Sequence, residues 1–167
     1  MYEQGGWRRY VRCVPRLSRN VLPPSGVYHV TARGVAGTAI ALDDDDRRLF
    51  LRLLAAAVRR EAWRCLAFCL MTNHYHLVVE TWLDRLSRGL HRLNGLYAQS
   101  FNARYKRSGH LFGDRFSAFV IRDDEHLRNA CEYVRQNPVR AGLCQRADDW
   151  PWGAARATIL QPRGAGD

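Results

Sequence analysis

Lysine is almost absent from this chain. Lys106 is the only one, so nearly all of the 26 Lys+Arg positions are arginine, and against 16 Asp+Glu they leave a net charge of +10. Arginine forks match phosphate oxygens and stack on bases, so the excess points to a nucleic acid more than to a membrane. A GC-rich genome would account for Arg in place of Lys, but not for the net charge. Long apolar runs are missing too. None approaches the ~18 residues of a membrane span, and the N-terminus lacks a signal-peptide core. The five cysteines are odd in number and show no C-x-x-C spacing, which argues for a reducing cytosol and against a disulfide framework or a zinc knuckle. These absences lead us to expect a soluble, cytoplasmic protein. At 167 residues, with no internal repeat, it reads as one domain with tails.

What is present falls into an ordered series. Residues 1–25 are basic and broken by Pro15, Pro23 and Pro24, an extended arm rather than a packed element. Residues 26–160 carry the periodic segments, and residues 161–167 read as a polar tail. Residues 27–33 are strand-like, with His29, Thr31 and Arg33 on one side. The acidic residues 43–46 suit the positive end of a helix. Leu49/Leu53/Ala57 beside Phe50/Leu54/Val58 supply its apolar stripe. Residues 65–71 are apolar throughout, as a strand covered on both faces would be, and a short link joins them in a hairpin to the next strand.

Leu83, Leu86, Leu90, Leu93, Tyr97 and Phe101 then step by three and four, predicting a long helix that also carries Arg88 and Arg92. Gly89 and Gly95 weaken it by roughly 1 kcal/mol each relative to Ala. Residues 116–121 read as a fourth strand. Residues 123–125 open another helix, expected to end near Asn137 because Pro138 disfavours helical geometry in the residue before it. A short helix is expected after Gly153. The order is that of an α+β, ferredoxin-like split βαβ fold: an antiparallel sheet with helices on one face, plus C-terminal helices. In that plan the first and third strands are central.

The third strand holds the chemistry. In Asn73-His74-Tyr75-His76-Leu77-Val78-Val79-Glu80 alternation puts His74, His76 and Glu80 on one side and Tyr75, Leu77 and Val79 in the core. Two imidazoles on one face of a rigid strand can point at one small cation. An ordinary half-buried strand can carry the same pair. His29 reads either as a third ligand or as a satisfied sheet histidine. Tyr133 and Asn137 lie one helical turn apart, and each alone could be a buried aromatic and a helix cap.

Four stretches together resemble a known family. They are Tyr28-His29-Val30-Thr31-Ala32-Arg33-Gly34, Met71-Thr72-Asn73-His74-Tyr75-His76-Leu77, Gly109-His110-Leu111-Phe112-Gly113-Asp114-Arg115-Phe116 and Tyr133-Val134-Arg135-Gln136-Asn137-Pro138-Val139-Arg140-Ala141-Gly142-Leu143. They look like the single-strand tyrosine transposases of the HUH class, and most like the REP-associated branch. The resemblance spans about residues 14–156. Two departures stand out. Val35-Ala36-Gly37-Thr38 replaces the Asn and basic residue usual after Arg33-Gly34, and Gly153-Ala154 replaces a usual Ser-Ser.

The resemblance implies a metal-dependent endonuclease and strand transferase acting on single-stranded or hairpin DNA, through a 5′-phosphotyrosine. It makes Tyr133 the nucleophile and His74, His76 and Asn137 the ligands of Mg²⁺ or Mn²⁺. Arg33, Arg88, Arg92, Arg115 and Arg140 are the arginines we expect at the DNA. The partner would be nucleic acid and not membrane, the location cytoplasmic and nucleoid-associated, and the protein a monomer or homodimer. The rival reading is a non-catalytic binder of structured single strands on the same sheet. A phosphodiesterase using water would need the histidines but not Tyr133.

Overall fold

A computed structural model describes residues 22–113 and 115–155. Most of the expected arm (1–21) and the whole polar tail (161–167) lie outside the described residues. The strands are β1 (Ser25–Arg33), β2 (Arg64–Leu70), β3 (His74–Trp82), β4 (Ser117–Ile121) and β5 (Gly153–Ala154). The helices are α1 (Asp44–Glu61), α2 (Leu83–Arg104) and α3 (Asp124–Arg140). The strands form one antiparallel sheet in the order β4-β1-β3-β2-β5. β1 and β3 are interior neighbours, as the split βαβ plan requires, with Thr31 opposite His76 and Arg33 opposite His74.

One face of the sheet is an apolar floor. Tyr28, Val30 and Ala32 of β1 and Tyr75, Leu77 and Val79 of β3 pack with Phe50 and Leu54 of α1 and with Leu86, Leu90, Leu93, Tyr97 and Phe101 of α2. The Asp43 carboxylate caps α1 by accepting from the Asp46 amide at 3.0 Å, a contact worth about 1 kcal/mol. Arg104, the last residue of α2, donates to Asp43 and Asp46 at 2.7–2.8 Å and clamps the two helices at that end. Gly89 is more than a weak point in α2. It is buried against the Trp63 ring, and a Cβ there would collide with the indole.

α1 and α2 share the apolar face, as expected, and α3, an added C-terminal helix, covers the other, through Ala130 and Val134 packed with Cys69, Met71, Val78 and Ile121. That is why Val78 is 0% exposed although it points away from the main core. Two expectations need correction. α3 does not stop at Asn137. Pro138 removes only the amide that would bond the Val134 carbonyl, and the helix runs on to Arg140. Its end is closed by Ala141 N donating to Asn137 O and Leu143 N to Pro138 O. Finally, Gly153–Ala154 is a strand paired with Cys69 and Phe68, where a helix was expected to begin. Residues 156–160 lie outside the described residues.

Candidate active site

The second face of the sheet is where the polar residues gather. Alternation along β3 turns His74 and His76 toward α3, with ring centroids 5.0 Å apart and planes at 87°. His74 is held by its neighbour: Asn73 donates Nδ2 to the Gly37 carbonyl at 3.1 Å, which fixes its Oδ1 as acceptor for His74 Nδ1–H at 2.7 Å. The lone pair of His74 is therefore on Nε2. His76 is 7% exposed, and its Nδ1 lies 3.0 Å from Nε2 of His29 on the adjacent strand.

Burial keeps all three rings uncharged. The His74 pKa falls to about 4, first from burial and then from the positive charge of Arg33. His29 falls to about 4 through burial and then His126. His76 is driven well below the ordinary histidine value by burial, with His29 and His74 adding to the effect. Neutral imidazoles are the form that ligates a metal. Among the described residues, no group of three His, Cys, Asp or Glu is arranged to hold a metal ion, so His29 is not a third ligand in this geometry.

Tyr133 of α3 stands over the histidines. Its ring centroid is 5.5 Å from that of His76 and 5.8 Å from that of His29, edge-on to both. Because α3 continues through Pro138, Tyr133, Asn137 and Arg140 fall at i, i+4 and i+7 on one stripe. The Arg140 guanidinium lies 5.1 Å from the Tyr133 ring centroid. Burial raises the phenol pKa, while Arg140 and a hydrogen bond from Asn137 oppose the rise. The Asn137 side chain is 9% exposed and donates Nδ2 to the Tyr133 carbonyl at 2.8 Å, leaving Oδ1 as its only ligating atom.

Histidines and tyrosine open on a cavity of about 530 Å³ whose lining includes Thr31, Arg33, Gly34, Ala36, Gly37, His74, His76, Gly113, Arg115, Ser117 and Tyr133. Its wall is three loops laced by backbone bonds: Gly34 N to Asn73 O, Val35 N to Leu111 O and Gly113 N to Arg33 O. Gly34 is required there, since a Cβ would run into the Thr38 carbonyl. The loop at residues 35–37, where the chain departs from the family pattern, forms a 3-10 turn on this wall.

The expected residues divide cleanly. His74, His76, Tyr133, Arg33 and Arg115 line the cavity, and Arg140 flanks the tyrosine. Asn137 is bonded to the Tyr133 carbonyl and is not part of the lining. Arg88 and Arg92 belong to α2, on the opposite face of the sheet. Arg88 is engaged there by buried Glu61 at 2.8 Å and by Asp84 at 3.8 Å. Asn73, Thr31, Ser117 and the His29–His76 contact were not anticipated as parts of a site. The available signal was the strand face shared by His29, Thr31 and Arg33.

A His-x-His strand inside an antiparallel sheet, faced on its polar side by a helical tyrosine, defines the HUH class of DNA-processing proteins. The chain belongs to the family described as "Transposase IS200 like", whose model matches residues 27–137. It is similar to a Haemophilus influenzae protein named "Putative REP-associated tyrosine transposase", 28% identical over 100 residues, with 53% of this chain and 56% of the relative covered. The match thus spans about half the length of that curated relative. Among solved structures it is similar to a REP-associated tyrosine transposase bound to a REP hairpin, with TM-score 0.69, 19% identity, and 90% and 92% of the two chains covered. At that identity the likeness is one of fold. Among the described residues no helix is long and apolar enough to cross a membrane.

Proposed function

We propose that this protein nicks and rejoins single-stranded hairpin DNA of the REP type, with Tyr133 as nucleophile and a divalent cation at His74, His76 and Asn137. The observation that carries the reading is the edge-on Tyr133 ring 5.5 Å from His76, at the mouth of a cavity rimmed by Arg33 and Arg115. By donor type the set accommodates such a cation. The amide oxygen and the phosphate oxygens of the strand suit Mg²⁺ or Mn²⁺, and two neutral imidazoles complete a mixed N/O set. His74 offers Nε2, and Asn137 would contribute Oδ1. When bound, the cation neutralises phosphate oxygens and withdraws charge from phosphorus.

The chain's own groups do the rest. Arg33 and Arg115 hold the strand by its phosphates and fix the scissile phosphodiester against the tyrosine. The Tyr133 phenol oxygen attacks phosphorus, so that an Oη–P bond forms while the P–O3′ bond breaks. The phenol proton passes to solvent, and the departing 3′ oxygen takes one up as a free hydroxyl. The strand is left as a 5′-phosphotyrosine, and attack by a 3′-hydroxyl reverses the step. A free phenol titrates near pH ~10, and burial makes ionisation harder. The Arg140 guanidinium over the ring offsets part of that cost.

Incubation with labelled hairpins and Mn²⁺, followed by a denaturing gel, tests this directly. We expect a covalent adduct whose peptide map leads to Tyr133. Tyr133→Phe should bind the hairpin and yield no adduct. An adduct on another residue, or full cleavage by the Phe variant, overturns the assignment. Binding with no cleavage would favour the non-catalytic reading, and cleavage without an adduct would favour water as the nucleophile.

A further inference from the structure

We propose that His29 is a positioning residue that holds His76 in its metal-ready tautomer. The inference rests on the metal reading given above and adds a residue to it. A neutral imidazole carries one N–H, so the single proton between His29 Nε2 and His76 Nδ1, 3.0 Å apart, decides which His76 nitrogen keeps a lone pair. If His29 donates, His76 carries its proton on Nε2 and cannot ligate through that atom. If His29 accepts, His76 is the Nδ1–H tautomer and its Nε2 is open.

The neighbouring strand residue shows the same device already set. Asn73, locked by the Gly37 carbonyl, accepts from His74 Nδ1 and leaves Nε2 free. With His29 as acceptor, the two histidines present matching Nε2 atoms from one strand face. Partners of this kind fix the tautomer and ring orientation of metal-bound histidine, and their loss commonly costs about 10–100-fold in metal affinity. β1 is suited to the task because its register is fixed along nine pairs with β3, from Ser25↔Trp82 to Arg33↔His74. His29 also abuts Tyr133 at 5.8 Å, so a replacement must keep an aromatic ring to isolate the hydrogen bond.

His29→Phe keeps a ring beside Tyr133 and removes the acceptor. His29→Gln carries an amide oxygen close to the position of Nε2. Mn²⁺ binding to the DNA-free protein, followed by the electron paramagnetic resonance signal of free Mn²⁺, should weaken about 10–100-fold in His29→Phe and recover most of that loss in His29→Gln. Both variants should bind hairpin DNA in the absence of metal within a few fold of the parent chain. Nitrogen-15 spectra of the unsubstituted protein give a readout independent of any variant, and we expect His76 as the Nδ1–H tautomer before metal is added. Unchanged Mn²⁺ affinity in His29→Phe, or an Nε2–H tautomer for His76, overturns the role of His29 and leaves the metal site standing. Mn²⁺ binding that survives His74→Ala combined with His76→Ala overturns the metal site, and this inference with it.

Discussion

The two faces of the sheet are built to different standards. Under α1 and α2 lies a dense aromatic floor. Phe50 packs 4.9 Å from Tyr75 and 5.2 Å from Tyr97 between ring centroids, the helix ends are clamped by Arg104 on Asp43 and Asp46, and buried Glu61 is held by Arg88. Under α3 the apolar cluster is smaller and holds no fully buried aromatic, with Leu66, Met71, Val78, Ile121, Ala130 and Val134 among its members, and beside it lie the histidines, Tyr133 and an open cavity. Chemistry needs polar groups and room for a strand of DNA, and neither stabilises a fold. The first face supplies the stability that lets the second remain polar. β3 belongs to both, so the histidines proposed to hold the metal sit on the back of residues that are almost fully buried.

The sharpest way to break this comparison is to remove the histidines. His74→Ala and His76→Ala should each abolish hairpin cleavage while leaving hairpin affinity within a few fold, since in the proposed reading binding rests on arginine–phosphate contacts. Their thermal midpoints should stay close to that of the parent chain. A large fall in the midpoint would mean that this face, too, carries the fold. Asn137→Ala should be milder on a cleavage gel, because water can replace one neutral ligand.

Gly89 tests the other face, with the opposite pattern. Helix propensity alone predicts that Gly89→Ala stabilises α2 by roughly 1 kcal/mol. Contact with Trp63 reverses the sign, because a Cβ cannot enter without displacing a fully buried indole. Overpacking of this kind costs about 1–3 kcal/mol. Denaturant unfolding should therefore show a lower midpoint at unchanged slope, and cleavage by the folded fraction should be normal. A gain in stability would mean that the floor is looser than described.

How much of this was legible in the sequence follows the same division. The main face is written in periodicities: alternation in β1 and β3, the 3–4 stripe of α2 and the acidic cap of α1 all fold as they read. The second face is legible only in part. The unbroken apolar run at 65–71 asks for cover on both sides of its strand, and Leu66, Ala67, Cys69 and Met71 do pack with Val78, Ile121, Ala130 and Val134. His76 and Thr81 interrupt the apolar pattern on the neighbouring strand, and no spacing says which helix will cover that side. Pro138 misled for a specific reason. A proline forfeits one hydrogen bond and crowds the turn before it, yet a helix can absorb that loss when the following amides find carbonyls. That extension brings Arg140 over Tyr133. β5, two residues long, has no sequence signature at all.

The arginines sharpen the comparison at a smaller scale. Arg33 and Arg115 line the cavity, whereas Arg88 is spent on Glu61 and Arg92 lies across the sheet. Arg33→Ala or Arg115→Ala should weaken hairpin binding and lower the dependence of affinity on salt by about one counterion. Arg92→Ala should change neither. Titrations at a series of salt concentrations report both quantities, and equal effects from the two groups would place DNA on both faces.

The smallest expected effect is a pH dependence confined to the first face. Hydrogen bonds from Arg104, and then from the Asp46 amide, hold the Asp43 carboxyl at about 2, below its ordinary 3.8. A depressed carboxyl binds fewer protons in the folded chain than in the unfolded one, so its contribution is complete above pH 3.8 and is lost as pH falls through about 2. Asp43→Asn is the informative variant. Asparagine is as good an N-cap as aspartate, so α1 keeps its start while the charge facing Arg104 disappears. Thermal melts of the two proteins should run nearly parallel above pH 4. Below it, the parent should fall more steeply than the variant. The difference should be slight, because the Asp43–Arg104 pair is exposed and screened by solvent. If the curves instead diverge near neutrality, the clamp between α1 and α2 is not what Asp43 contributes.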